Sequence, residues 1–151
     1  MSFISIAVQD LLKADTAVKA IVGNRVYPDG LPRINDADPT LPAITVSEVS
    51  DIPDRAVLCQ RAARIQVSCW SNPAEYNGVK SPQEVETLAE AVITAMQHSN
   101  LTVYTTTLTV ATKRYYVYGM SCINALRMRD PVTDFYHKPC DFEILYRKLE
   151  D

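Results

Sequence analysis

His137 and Cys140 are the nearest this sequence comes to a base beside a nucleophile. Thiolate chemistry needs the imidazole within hydrogen-bond reach of the sulfur. Both residues lie in the β-prone run Phe135 to Leu149, where side chains three apart point to opposite faces, so the spacing argues against a working pair. Carboxylates pair off at Asp51 with Asp54 and at Asp130 with Asp134, each in a Pro-bearing turn. Calcium loops supply ligands more densely than this, and both pairs read as solvated turn residues. Lys113, Arg114, Tyr115, Tyr116 and Tyr118 set aromatic faces beside cations, the residue types that stack on and neutralise single-stranded nucleic acid. Tyrosines on a strand more often serve sheet and interface packing. Cys59, Cys69, Cys122 and Cys140 are widely spaced, with only His98 and His137 to assist them, which predicts buried free thiols rather than zinc ligands or disulfides. Four scattered glycines cannot build a phosphate loop, and no H-E-x-x-H, G-x-S-x-G or Walker pattern occurs. The expectation is no catalytic residue, no cofactor and no metal.

The stretch that organises the rest runs from 62 to 96. Ala63, Ile65, Val67 and Cys69 alternate with Arg64, Gln66, Ser68 and Trp70, which predicts a strand with one face in the core. Val85, Leu88, Ala89, Val92, Ile93 and Met96 then recur at helical spacing, with Glu84, Glu86, Thr87, Glu90 and Thr94 opposite them. Ser81, Pro82 and Glu84 read as N-cap, first helical residue and the carboxylate of a capping box. An apolar stripe of this size has to lie on a sheet.

Upstream, Ile4, Val8, Leu11 and Leu12 form one helical stripe and Val18, Ile21 and Val22 a second, with Asp15 as the N-cap between them and Gly23 as a left-handed stop. The second helix offers little beyond Lys19 to read a base, so packing is favoured over a helix-turn-helix. Pro28, Pro32, Pro39 and Pro42 make 28–42 a long loop, either an arm that reaches a neighbouring subunit or a strap over its own core. Ala43 to Ser50 reads as a strand with Ile44, Val46 and Glu48 on one face, turning at 50–54 to pair with the return through Trp70. A polar loop is expected over 71–80, and strands over 101–110 and 115–128, both with indistinct alternation. After a turn at 130–134, Cys140, Phe142, Ile144 and Tyr146 share one face of the last strand, which Pro139 predicts to start late or run at an edge. The sum is an α+β fold in one domain over 1–151: a mostly antiparallel sheet with the N-terminal helices and one central amphipathic helix packed on one face.

The 151 residues suffice for one core without staples. Fifteen basic against eighteen acidic residues leave a net charge of −3, with no run of five like charges, which disfavours phosphate backbones as partners. The N-terminal stretch has neither the basic start of a signal peptide nor an unbroken apolar span, so no membrane partner is expected.

In order along the chain, LLKADTAVKAIVGNRVYP, LPAITVSEVS, RIQVSCWS and the helix around VETLAEAVITAM resemble the tail-completion family of long-tailed bacteriophages, the small head-to-tail joining or tail-terminator proteins. The turn DPVTDFYH followed by DFEILYR is similar to that family's closing hairpin, whereas Thr102 to Thr112 matches less clearly. The resemblance implies a non-enzymatic virion subunit, made in the host cytoplasm and placed at the head-tail junction. It implies a homo-oligomeric ring of six that ends the tail tube, meets the tail tube protein and the head connector or stopper, and lets DNA pass without specific binding. Expected inter-subunit contacts are Tyr27, Asp29, Leu31 and Arg33 in the arm, Ile52, Arg55, Leu58 and Arg61 about the next loop, and Glu75, Tyr76 and Lys80 in the polar loop. Other readings of the same residues are a different phage connector or tube subunit, or a small-molecule-binding α+β module. A concave pocket with convergent polar groups would favour the last.

Overall fold

The computed structural model describes residues 3–32, 40–53, 60–72, 74–76, 79–97, 107–110, 113–130 and 135–149. Two helices open the chain, α1 (Phe3–Ala14) and α2 (Thr16–Val22). Asp15 separates them as expected: its Oδ1 accepts the Val18 N–H at 3.0 Å, satisfying one of the orphan donors of α2. Gly23 ends α2, donating its N–H to the Lys19 carbonyl at 2.8 Å. Its φ of 60° has the expected sign, but ψ is −123°, outside the left-handed helical well and in a region that glycine enters at little cost.

Strands β1 (Val26–Pro28), β2 (Ala43–Pro53) and β3 (Arg61–Ser71) follow, then a short hairpin of β4 (Ala74–Tyr76) and β5 (Val79–Ser81). Helix α3 (Gln83–Met96) leads to β6 (Thr107–Val110), β7 (Lys113–Ala125), β8 (Met128–Arg129) and β9 (Tyr136–Leu149). The main sheet has the order β1-β2-β3-β9-β7-β6, with β8 also on β9. Every pairing in it is antiparallel except β1 with β2. The α+β architecture and the β2–β3 pairing are those expected.

The helices share one face of this sheet. Helix α3 packs over β3, β9 and β7, while α1 touches β1 and β2 toward one edge and β6 at the other, so the sheet curls about the helical layer. Ala63, Ile65, Val67 and Cys69 of β3 are buried beneath it, as are Cys140, Phe142, Ile144 and Tyr146 of β9. Val85, Leu88, Ala89, Val92 and Met96 of α3 are fully enclosed, with Ile93 partly buried and Ala95 added to the stripe. Each aliphatic side chain removed from water contributes roughly 1.5–3 kcal/mol, which is what holds these short helices in place.

Three local expectations change. Helix α3 starts at Gln83, with Pro82 as N-cap and no side-chain cap bond, so the Ser81–Glu84 box does not form. Ser81 is instead drawn into β5, opposite Ala74. The polar loop over 71–80 contains the β4–β5 hairpin, whose Tyr76 and Val79 flank Asn77-Gly78, a two-residue hairpin turn signal. Pro139 lies inside a central strand, opposite Ser68 of β3, and β9 starts before it at Tyr136. On the other side of β9 the pairing stops at Ala125↔Cys140 and resumes at Met128↔His137, so this proline falls where the ladder is already interrupted. After Gly23 the chain leaves in extended form, and Val26–Pro28 becomes β1, the parallel strand. The arm between 33 and 39, the tip of the β2–β3 hairpin, the start of the strand expected from 101 and most of the turn at 130–134 lie outside the described residues.

Candidate interaction surface

The groups singled out for chemistry are mostly engaged inside the fold. Register puts Cys140 on the core face of β9 and His137 on the other, and His137 stacks on Trp70 with ring centroids 3.8 Å apart and 5° between planes. Burial lowers the pKa of His137, keeping the imidazole neutral near pH 7. The expected failure of that base–nucleophile pair therefore has a geometric cause. Cys69 and Cys140 are buried free thiols, and a hydrogen bond to Cys140 together with burial pushes the Cys69 thiol well above its ordinary range. Cys59 lies outside the described residues. Among the described residues no group of His, Cys, Asp and Glu is placed to hold a metal ion. No helix among them is long and apolar enough to cross a membrane.

Two ion networks brace the sheet at opposite ends. At one, Asp51 accepts the Tyr146 hydroxyl at 2.5 Å and Arg61 Nε at 2.9 Å, and Arg61 Nη2 also donates to the Asp51 carbonyl at 3.1 Å. Burial, then the hydrogen bond to Asp51, raises the pKa of Tyr146 well above its ordinary value. At the other, Glu86 of α3 takes Lys138 Nζ at 2.6 Å and Arg127 Nη1 at 3.1 Å, and the Lys138 hydrogen bond lowers the Glu86 pKa. One more pair lies on the sheet face away from the helices, where Asp141 accepts from Arg64 at 3.3 Å and from Gln66 at 3.0 Å.

The predicted contact residues fall into separate groups. Tyr27 is half-buried in β1 opposite Thr45, Leu31 is half-buried, and Asp29 is exposed with φ 61°. The Asp29 N–H donates to the Val46 carbonyl at 2.9 Å, fixing the departure of the arm from the sheet. Ile52 is 59% exposed near the end of β2, beside Ala62, whereas the Arg61 guanidinium is held by Asp51. Glu75 and Lys80 are backbone register partners in the β4–β5 pairing, as are Tyr76 and Val79. Arg33, Arg55 and Leu58 lie outside the described residues.

Sequence reasoning missed a second set. Val49, Tyr118 and Ile123 sit at the three register shifts of β2 and β7 and are 54%, 46% and 48% exposed. A bulge adds one residue to a strand, and here each extra side chain falls on the face away from the helices. Ile52 and Met128 join them there, opposite Ala62 and His137. Tyr118 also meets Tyr116 edge-on at 5.0 Å, and the Arg147 guanidinium lies 5.6 Å from the Tyr116 ring. The same face between these flanks carries Arg64, Gln66, Asp141 and Glu143. The arrangement has the build of a contact surface: apolar anchors set about a polar, internally paired centre.

A family model described as "Tail completion protein gp17" matches residues 6–147, nearly the whole chain. The chain belongs to this tail completion family. Membership makes it a structural protein of the phage tail and agrees with the resemblance read from the sequence. The fold is shared with a chain in a structure titled "Virion of native gene transfer agent (GTA) particle", with a TM-score of 0.66 at 19% identity, covering 95% of this chain and 94% of that one. No curated protein matches. As a tail completion protein it meets other virion proteins through its surface, and the exposed apolar flanks of the helix-free face are the part of the described surface best suited to that.

Proposed function

We propose that this tail completion protein closes into a ring of six at the head-proximal end of the tail, where it terminates the tube and joins it to the head connector without catalysing a reaction. The observation that carries the reading is the surface just described. Among the described residues, this member of a family of structural tail proteins presents a sheet face on which none of its helices packs, with exposed apolar side chains on both flanks. The charge balance supports passage of DNA through such a ring. A subunit of net charge −3, whose Arg64 is already paired with Asp141, has little with which to displace counterions from phosphates. The segment 29–38 and the tips of the hairpins are further contacts in this reading, because ordering long polar loops costs entropy that a neighbour can offset.

Electron microscopy of the purified protein, alone and added to tails that lack it, tests the proposal together with a native mass measurement. Rings of six subunits at one end of the tube are expected. Deleting Asp29 to Asp38 should weaken ring closure or tail attachment while leaving the fold cooperative. A strict monomer that neither closes into rings nor binds tails would remove the proposal.

A further inference from the structure

The end of the sheet at which β3 finishes and β9 begins is fastened on both faces. On the core face Glu86 of α3 takes Lys138 Nζ at 2.6 Å. On the other face the register partners Trp70 and His137 stack ring on ring, and Trp70 Nε1 donates to Thr45 Oγ1 of β2 at 3.0 Å. His137 is also one of the two residues of β9 that pair with β8, opposite Met128. Strand β8 has only two residues, both exposed, and just beyond it the Asp130 N–H donates to the Phe135 carbonyl at 2.9 Å. One imidazole thus sits where β3, β9 and a weakly held β8 meet.

That setting suits the neutral ring alone. His137 Nε2 is enclosed and has no hydrogen-bond partner. A neutral imidazole can leave this nitrogen as a bare acceptor, whereas the imidazolium has to put an N–H there with nothing to receive it. Attraction between an imidazolium and the indole face acts the other way. It is the weaker effect here, because it is spread over the ring while the enclosed N–H forfeits a whole hydrogen bond to water. Among the described residues, Thr45, Ser68 and Trp70 on the β2 and β3 side carry no charge. Lys138 is bound by Glu86 on the core face, Arg129 lies over the Tyr136 ring, and Asp130 favours the charged imidazole by less than burial disfavours it. The stability of the neutral stack is therefore complete above the ordinary imidazole value of 6.5 and is lost as pH falls below it toward the lowered folded value. Glu86, with its pKa lowered from 4.5, stays ionised through that window, so its bridge to Lys138 persists.

We infer that the Trp70–His137 stack is an acid-sensitive catch: protonation of His137 in mild acid opens the stack and releases β8 from β9, while the Glu86–Lys138 bridge and the β3–β9 ladder hold. The two fastenings of this end answer to different ranges of pH, so one face loosens while the other keeps β9 on its helix. Each unit of pH below the ordinary imidazole value raises the open population by up to about tenfold, until the folded value is reached.

Amide hydrogen exchange followed by NMR from about pH 7 to about pH 5, corrected for the intrinsic pH dependence of exchange, tests this on the intact chain. Protection of the Asp130 amide should fall by about threefold to tenfold, whereas Ile65 and Val67 in the middle of β3 should keep theirs. The His137 ring protons should titrate below 6.5 in the same samples. His137→Phe keeps a ring against Trp70 that takes no proton, and should hold Asp130 protection constant with pH. His137→Gln, which loses the stack, should leave that protection low and equally independent of pH. If neither variant folds, the parent titration alone decides. A His137 ring that titrates at 6.5 or above would mean that the indole face wins and acid tightens the stack, which overturns the inference. Asp130 protection that ignores pH, a pH response that survives both replacements, or protection lost throughout β3 over the same range overturns it as well.

Discussion

Replacing Tyr146 by Phe keeps the ring in the core and removes one hydroxyl. That hydroxyl lies 2.5 Å from Asp51 Oδ2, and the carboxylate side chain is only 13% exposed, so water cannot fully replace the lost donor. A hydrogen bond to a charged group contributes roughly 1.5–3 kcal/mol. Arg61 still holds the other carboxylate oxygen at 2.9 Å, which places the expected loss near the middle of that range, about 2 kcal/mol. For a chain of this size that corresponds to a fall of about 4–8 °C in melting temperature. The pH dependence provides a second signature. The folded-state pKa of Tyr146 is raised above its unfolded value near 10, so the folded protein retains this proton longer than the unfolded chain. The stabilisation is complete below about pH 10 and is lost as pH rises toward the folded value. Urea denaturation of parent and Tyr146→Phe at pH 7 and in steps above pH 10 should show a gap that narrows as pH climbs. A gap below about 0.5 kcal/mol at pH 7, or one that does not change above pH 10, would refute this account of the cluster.

Val92→Asp buries a carboxyl in the middle of the α3 stripe, at a site with 0% exposure. Holding it protonated at pH 7 costs about 4 kcal/mol and the lost aliphatic burial about 2, so denaturation should show a deficit of roughly 6 kcal/mol that shrinks as pH falls toward 4. In timed alkylation of native protein, Cys122, half-buried and with its thiol pKa raised chiefly by burial, should react before Cys69 and Cys140, and native mass should show neither bound zinc nor a disulfide. Duplex DNA at physiological salt should bind weakly or not at all to the free subunit, as a titration at two salt concentrations would show; tight, salt-sensitive binding would instead make the surface around Tyr116 and Arg147 a nucleic-acid platform.

The parts of the fold that were legible in the sequence are those where one periodicity governs a whole element. Strand β3 alternates without a break between Ala63 and Cys69, and the stripe of α3 follows helical spacing from Val85 to Met96, so both burial patterns could be read directly. Strand β7 was indistinct for a physical reason: register shifts at Tyr118 and Ile123 reset the alternation twice within one strand. Those bulges also hid the helix-free apolar flanks, since each extra residue counts as a fault in the pattern. Local chemistry misled where tertiary pairing competed with it. Ser81 had the makings of a helix cap but is used by the β4–β5 ladder, and Pro139 is tolerated in a central strand because the β7–β8 break lies opposite. Asn77-Gly78 was a readable hairpin signal that the polarity of its surroundings obscured. The partnership of Asp51 with Tyr146 was not readable, because it spans 95 residues of chain.

The register of β3 against β9 also has a mechanical consequence. The two strands pair without a shift from Arg61↔Tyr146 to Ser71↔Tyr136, and β7 extends the same block on the other side of β9. Tension along the strands would load this ladder in shear, with all of its hydrogen bonds strained together, whereas tension across them would open the bonds one at a time. The Asp51–Arg61–Tyr146 cluster ties β2, β3 and β9 together at one end of the block, and the Glu86–Lys138 bridge fastens β9 to α3 near the other. A subunit mounted with its strands along the direction of pull would act as a stiff strut, passing load from one end to the other with little change of length.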